Sequence, residues 1–188
     1  MGTKRIRMLL KTSSYEKNNF SYQFKKIIKK VKPTFIIEFG IGNGYSLNSL
    51  VKYSSNDCEI YAFDLFDDYQ YNRPDEREIM EKFSEGRVLV AKGDFYKMPN
   101  DIEDNSVDII HVDISNDGDI FQFAVENYMS KLTDNGVMIL EGGSIERDKV
   151  EWMVKYNKRK IFPYLLSIMD KFSVKIINCF PSMTIIKK

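Results

Sequence analysis

The sequence runs to 188 residues, 43% hydrophobic and 29% charged, with a formal net charge of +1. That length suits one domain with a substantial core, and the near-zero charge argues against the basic footprint of a nucleic-acid binder. No apolar run reaches the roughly 20 residues that a membrane-spanning helix requires, and residues 1–11 are basic without the apolar core of a secretion signal, so a cytoplasmic protein is the expectation.

In chain order, Phe20, Phe24, Ile27, Ile28 and Val31 share one helical face, which predicts an amphipathic helix over about 16–31, ended by Pro33. Residues 1–32 thus read as a helical segment ahead of a core at 33–188, within one domain of 1–188. Residues 34–39 are a continuous apolar run, as expected of a strand buried on both faces. Glu38 closes that run, Gly40, Gly42 and Gly44 follow at alternate positions, and a helix patterned by Leu47, Leu50 and Val51 begins at Ser46. A second strand, 59–65, ends in Asp64. Residues 66–75, with Asp67, Asp68, Tyr69, Tyr71 and Arg73, form a polar aromatic loop able to act as a lid or a connection, and 76–84 look helical.

A third strand, 87–92, leads to Gly93, Asp94 and Phe95, and a fourth, 107–112, to Asp113. Ile120, Ala124 and Tyr128 pattern a helix over about 118–132. Asn135 and Gly136 make a turn into a fifth strand, 137–140, which stops at Glu141. A basic helical segment covers 146–171, divided at Pro163, and a hairpin of 174–180 and 183–186 turns at Pro181. Cys58 and Cys179 fall in predicted strands and read as reduced thiols. Strands alternating with helices imply an α/β fold: a doubly wound, mostly parallel seven-stranded sheet closed by an antiparallel C-terminal hairpin.

In such sheets ligands bind beyond the carboxyl ends of the strands. Five predicted strands end in or beside an acid: Glu38, Asp64, Asp94, Asp113 and Glu141. A glycine bend lets a ligand lie against the backbone, and the helix after it offers unpaired N–H groups that suit an anion. Glu38 suits a cationic or hydroxyl-bearing group. Asp64 would accept ribose hydroxyls, Asp94 an exocyclic amine, and Phe63, Leu65, Phe66 and Phe95 would sandwich a base.

The run Glu38, Phe39, Gly40, Ile41, Gly42, Asn43, Gly44, with Asp64, Gly93, Asp94 and the Asp113 region, resembles the successive motifs of class I S-adenosylmethionine-dependent methyltransferases. A dinucleotide-binding spacing Gly-x-Gly-x-x-Gly is absent, because position 45 is tyrosine. The resemblance implies S-adenosylmethionine as methyl donor and S-adenosylhomocysteine as product. It implies that Gly40, Gly42 and Asn43 line the methionine portion beside Glu38 and Gly44, that Asp64 with Leu65 holds the ribose, and that Asp94 with Phe95 holds the adenine. Asp113 would lie near the reacting methyl.

Residues 110–117 also resemble the fourth-strand motif of small-molecule and sugar O-methyltransferases: His111 and Asp113 match, whereas Ser115 and Asn116 replace its second acid and histidine. That implies methyl transfer to an oxygen, with Asp113, His111 and Glu141 as candidate catalytic groups; histidine is a side chain commonly used as a base near neutral pH. No metal ligands are assigned, since one of the paired acids after strand five is missing, and metal dependence is not favoured. Arg147, Lys149, Lys155, Lys158, Arg159 and Lys160, with Trp152 and Tyr156, suggest a small anionic acceptor such as a phosphate or sugar derivative, or else a solvated helix face. Methylation of nitrogen or RNA, and a binding protein without catalysis, are the alternatives. No nucleic acid or membrane partner is favoured, and the oligomeric state is open, a homodimer included.

Overall fold

Described over residues 20–68, 75–83 and 86–188, the computed structural model alternates strands and helices along the chain. Helix α1 (Phe20–Val31) buries Phe20, Phe24 and Ile28, one residue per turn. Strand β1 (Phe35–Phe39) leads through the glycine bend into α2 (Tyr45–Tyr53). Then come β2 (Glu59–Asp64), α3 (Glu76–Lys82), β3 (Val88–Lys92), β4 (Val107–Val112) and α4 (Gly118–Tyr128). Strand β5 (Leu132–Glu141), α5 (Glu151–Lys155), α6 (Ile161–Ile168), β6 (Ser173–Ile177) and β7 (Met183–Lys187) complete it. Residues 16–19 of the expected first helix, Tyr69, Tyr71 and Arg73 lie outside the described residues, and of Asp67 only the backbone is described.

The seven strands lie in the order β3-β2-β1-β4-β5-β7-β6. All pairs are parallel except those of β7 with β5 and β6. Successive residues of the central strands face opposite sides, so both sides must be apolar. Ile37, Ile110 and Met138 pack with α4 and α6 through Phe121, Ala124 and Leu165. Ile36, Ile109 and Ile139 pack with α1, α2 and α3 through Phe24, Leu50 and Ile79. The register pairs Phe39 with both Phe63 and Val112, which brings the carboxyl ends of β1, β2 and β4 level. That alignment sets Gly40, Asp64 and Asp113 at one edge.

Three local readings change. Helix α4 ends at Tyr128, and residues 132–136 join β5, whose pairing with β4 slips between Val107 and Ile109. The segment 146–171 breaks at 156–160 rather than at Pro163, which sits in the first turn of α6, where its missing N–H costs nothing. The buried Asp148 holds that turn by accepting from the N–H groups of Ile161 and Phe162, both at 2.8 Å. Cys58 precedes β2 and is buried, Cys179 follows β6 and is exposed, and both are free thiols. Among the described residues no helix is long and apolar enough to cross a membrane.

At the opposite edge, Asp108 ties β4 to the start of β1 and to β5. It accepts from the Thr34 N–H (2.7 Å), the Thr34 hydroxyl (2.9 Å), the Phe35 N–H (3.2 Å) and the Thr133 hydroxyl (2.9 Å). Burial pushes its carboxyl up, but these hydrogen bonds outweigh burial and hold it below the usual carboxylate range. A depressed folded pKa stabilises above the unfolded value, and the benefit fades as pH falls through the folded one. Asp108→Ala is therefore expected to cost about 2 kcal/mol at neutral pH. In urea melts the difference from the parent should shrink below about pH 4.

Candidate functional site

The carboxyl ends of β1 to β5 open onto a cavity of about 600 Å³, within the size range of small-molecule sites. Of the residues singled out in sequence, Gly40, Gly42, Asn43, Asp64, Leu65, Asp94, Phe95, Asp113 and Glu141 line it. Glu38, Gly44, Phe66 and His111 do not. Tyr45, Ser46, Tyr96 and Ile120 also border it, although nothing in the sequence singled them out for a site. Tyr45 and Tyr96 each directly follow a motif residue, which was the available signal.

Asp64 organises the bend. Its Oδ2 accepts from the N–H groups of Ile41 (2.7 Å) and Gly42 (3.2 Å), and its Oδ1 from Phe66 N–H (3.0 Å). Two N–H groups of the bend are thus spent on a carboxylate of the chain itself. A dinucleotide-binding bend offers those groups to pyrophosphate; here a pyrophosphate would meet Asp64 instead. Gly44 caps α2 rather than facing the cavity, because a Cβ there would lie 2.7 Å from the Phe83 ring of the α3 end.

Asp94 accepts from Tyr96 N–H at 3.0 Å and pairs with Lys97 at 3.1 Å. The Tyr96 hydrogen bond above all, helped by Lys97, holds its carboxyl below the usual range against the opposing effect of burial. Phe63 and Phe95 reach the cavity, while Phe66 turns into the core beside α2 and α3. Behind Phe95 stands Tyr128, stacked at 5.1 Å, whose hydroxyl donates to the Phe95 carbonyl at 2.6 Å. This backing fixes the wall on which a flat ring could lie.

Glu38 and His111 are brought together, but away from the cavity. They face each other across β1 and β4, sharing a 2.8 Å hydrogen bond between Oε1 and Nδ1, both fully buried. Phe24 packs edge-on against the imidazole at 5.1 Å. Against the expectations of Glu38 as a ligand contact and His111 as a base, strand alternation turns both side chains toward α1, and neither lines the cavity.

The other half of the cavity carries Asp113, Ser115, Asn116, Glu141, Arg147 and Trp152. Arg147 is buried between Trp152 (4.7 Å) and Phe180 (5.5 Å). Lys158 covers Trp152 at 5.3 Å and donates to Ser115 Oγ at 2.6 Å. Arg159 turns away to Asp119 on α4, and Lys149, Lys155 and Lys160 are exposed. Of the basic segment, only Arg147 lines the cavity. Glu141 is set by the turn after β5, where Gly142 N–H donates to the Ser182 carbonyl and the Thr184 hydroxyl to the Gly142 carbonyl, both at 2.7 Å. Among the described residues no group of three or more His, Cys, Asp or Glu side chains is arranged to hold a metal ion.

A family model described as a methyltransferase domain matches residues 37–141, more than half of the chain. A search of curated protein sequences finds no match. Among solved structures, the S-adenosylhomocysteine-bound methyltransferase of Podospora anserina superposes with a TM-score of 0.69 at 18% identity, covering 89% of this chain and 76% of its own. A candidate caffeoyl-CoA O-methyltransferase of Staphylococcus aureus gives 0.65 at 17%, covering 98% of each chain. A candidate rRNA methylase of Clostridium thermocellum gives 0.66 at 17%, covering 94% and 99%. These likenesses establish the fold as the Rossmann-like sheet shared by such proteins.

Proposed function

The chain belongs to the methyltransferase-domain family, and from that premise we propose that it transfers a methyl group from S-adenosylmethionine to a hydroxyl oxygen of a small metabolite. The observation that carries the donor is Asp64: a carboxylate at the end of β2 that braces the bend and borders the cavity. The donor set fits an unphosphorylated nucleoside. A Cβ at Gly42 would meet nothing within 4 Å, so the bend presents bare backbone to open space where a ligand can lie.

In this reading the backbone of Gly40, Gly42 and Asn43 lies along the aminoacyl part, with Asp64 and Leu65 at the ribose. Asp94 accepts from the adenine amine, with Phe63 and Phe95 against its ring. When bound, S-adenosylmethionine supplies a methyl already activated by its sulfonium. The chain's own residues then have two tasks. They hold the acceptor oxygen in line with that methyl, which is the larger share of such catalysis. Asp113 or Glu141, both on the cavity, takes the hydroxyl proton as the bond forms. Four carboxylates on the cavity and a net charge of +1 disfavour an RNA strand as acceptor.

Calorimetry with S-adenosylhomocysteine is the test. Binding with a Kd of about 1–100 μM is expected, near ordinary substrate levels. An S-adenosylhomocysteine release assay with hydroxylated and aminated acceptors then separates oxygen from nitrogen transfer. No binding of the product at millimolar concentration would remove the donor reading. Turnover confined to amines would move the acceptor to nitrogen. Asp113→Ala and Glu141→Ala are each expected to keep product affinity, and the one that supplies the base should lose about 100-fold or more in turnover.

A further inference from the structure

Two buried polar groups on the acceptor side of the cavity lack partners. Arg147 is 9% exposed and its Nε has no hydrogen-bond partner; Asn116 is 6% exposed and its Oδ1 has none. Both residues line the cavity. A buried polar atom left unmet costs about 1–3 kcal/mol, more when charged, so folded proteins seldom keep one without a use. Both atoms are themselves enclosed in the cavity wall, so a ligand would meet the remaining polar atoms of the guanidinium and the amide.

The Arg147 guanidinium is built in place rather than wandering. Its backbone N–H donates to Ser144 Oγ at 3.1 Å, and its head lies between the Trp152 and Phe180 rings. Burial lowers its pKa more than the nearby charges of Glu141, Asp113 and Asp148 raise it, so its charge is incompletely compensated. Asn116 has room for its amide because Gly142 lacks a Cβ, which would stand 2.3 Å from Asn116 Oδ1.

We propose that Arg147 and Asn116 select the methyl acceptor, and that the acceptor is a small hydroxycarboxylate: its carboxylate on the Arg147 guanidinium, a hydroxyl on the Asn116 amide. This deepens the methyl-transfer reading and rests on it. Arg147 carries the only positive charge among the described residues lining the cavity, which makes it the side chain that would take an oxyanion. A guanidinium matches a carboxylate with two parallel donors. A phosphate dianion would bring a second negative charge beside Asp113 and Glu141. The next cation, Lys158, is engaged by Ser115 at 2.6 Å and Asp117 at 3.6 Å. A single carboxylate is therefore favoured over a phosphate ester.

The test is calorimetry on the full chain saturated with S-adenosylhomocysteine, titrated with ortho-, meta- and para-hydroxybenzoate and with the matching uncharged hydroxybenzamides. At least one acid is expected to bind about tenfold or more tightly than its amide. Arg147→Met should erase that preference and Arg147→Lys restore part of it. The melting temperature of Arg147→Met should not fall, because removing an under-compensated buried charge relieves a penalty. A merely structural Arg147 would instead lower it. Asn116→Ala should weaken the hydroxybenzoate but not unsubstituted benzoate. Equal binding of acid and amide, no binding by any isomer, or a preference surviving in Arg147→Met overturns the proposal. Displacement of the acid by equimolar inorganic phosphate overturns the carboxylate in favour of a phosphate. If S-adenosylhomocysteine fails to bind, the donor reading fails; the same titrations without it still decide the Arg147 subsite.

Discussion

Asp64→Ala is expected to weaken S-adenosylhomocysteine binding by about 100-fold, or about 2.7 kcal/mol. A carboxylate has roughly four acceptor sites. Three are occupied by the N–H groups of Ile41, Gly42 and Phe66. The remaining one is proposed for a ribose hydroxyl, a charge-assisted bond of about 1.5–3 kcal/mol. The substitution removes that bond and also releases the bend, so the backbone meant to meet the aminoacyl group loses its fixed shape. Asp64→Asn keeps the side-chain shape and a carbonyl for the bend but gives up the charge, so its affinity should fall between the two. Asp113→Ala should change product affinity far less. Calorimetry on all three reads the order. Equal affinity in Asp64→Ala and the parent would contradict the ribose contact, and urea melts run in parallel show whether folding is intact.

Gly40→Ala should be the most destabilising single change at the site, by about 2–5 kcal/mol. Gly40 has φ +86°, and a Cβ there would lie 2.3 Å from the Asp113 carbonyl oxygen and 2.7 Å from its carbon. Neither side can yield cheaply. Gly40 N–H donates to the Phe63 carbonyl at 2.8 Å, and Asp113 N–H to the Phe39 carbonyl at 2.9 Å, so β1 is stitched to β2 and β4 at that point. Such a loss is a large part of the roughly 5–15 kcal/mol that holds a domain folded. Gly42→Ala is the contrast. Its φ is +52° and nothing stands within 4 Å of the added Cβ, so the stability cost should be about 1 kcal/mol. That methyl would protrude from the cavity lining, so binding should suffer more than folding. A urea midpoint for Gly40→Ala equal to that of the parent would show that the close approach to Asp113 is not rigid.

The strand-end acids were legible in the sequence because each follows an apolar run, and four of the five line the cavity. Glu38 fails for a local reason with a distant cause. It stands one residue short of the end of β1, so its side chain takes the other face, and β4 sets His111 directly beside it from 73 residues away. The basic segment misled in a similar way. Its charges are dense in sequence, but the break at 156–160 points most of them at solvent or at α4. Arg147 was on the right segment, yet nothing in its neighbours foretold that Trp152 and Phe180 would enclose it.

What the sequence determined alone is what short-range chemistry dictates: apolar runs that must be strands buried on both sides, the glycine bend after β1, and the alternation that forces a doubly wound sheet. The cavity's working surface was decided only in three dimensions. Which face Glu38 takes, that Asp64 spends its lone pairs on the bend, and that Arg147 and Asn116 stand beside the same opening all follow from strand register and from contacts between segments 22 to 73 residues apart. Hydrogen-bond and ring-stacking partners at such separations leave no periodic trace along a chain, because the folded backbone and not the sequence interval sets their distance.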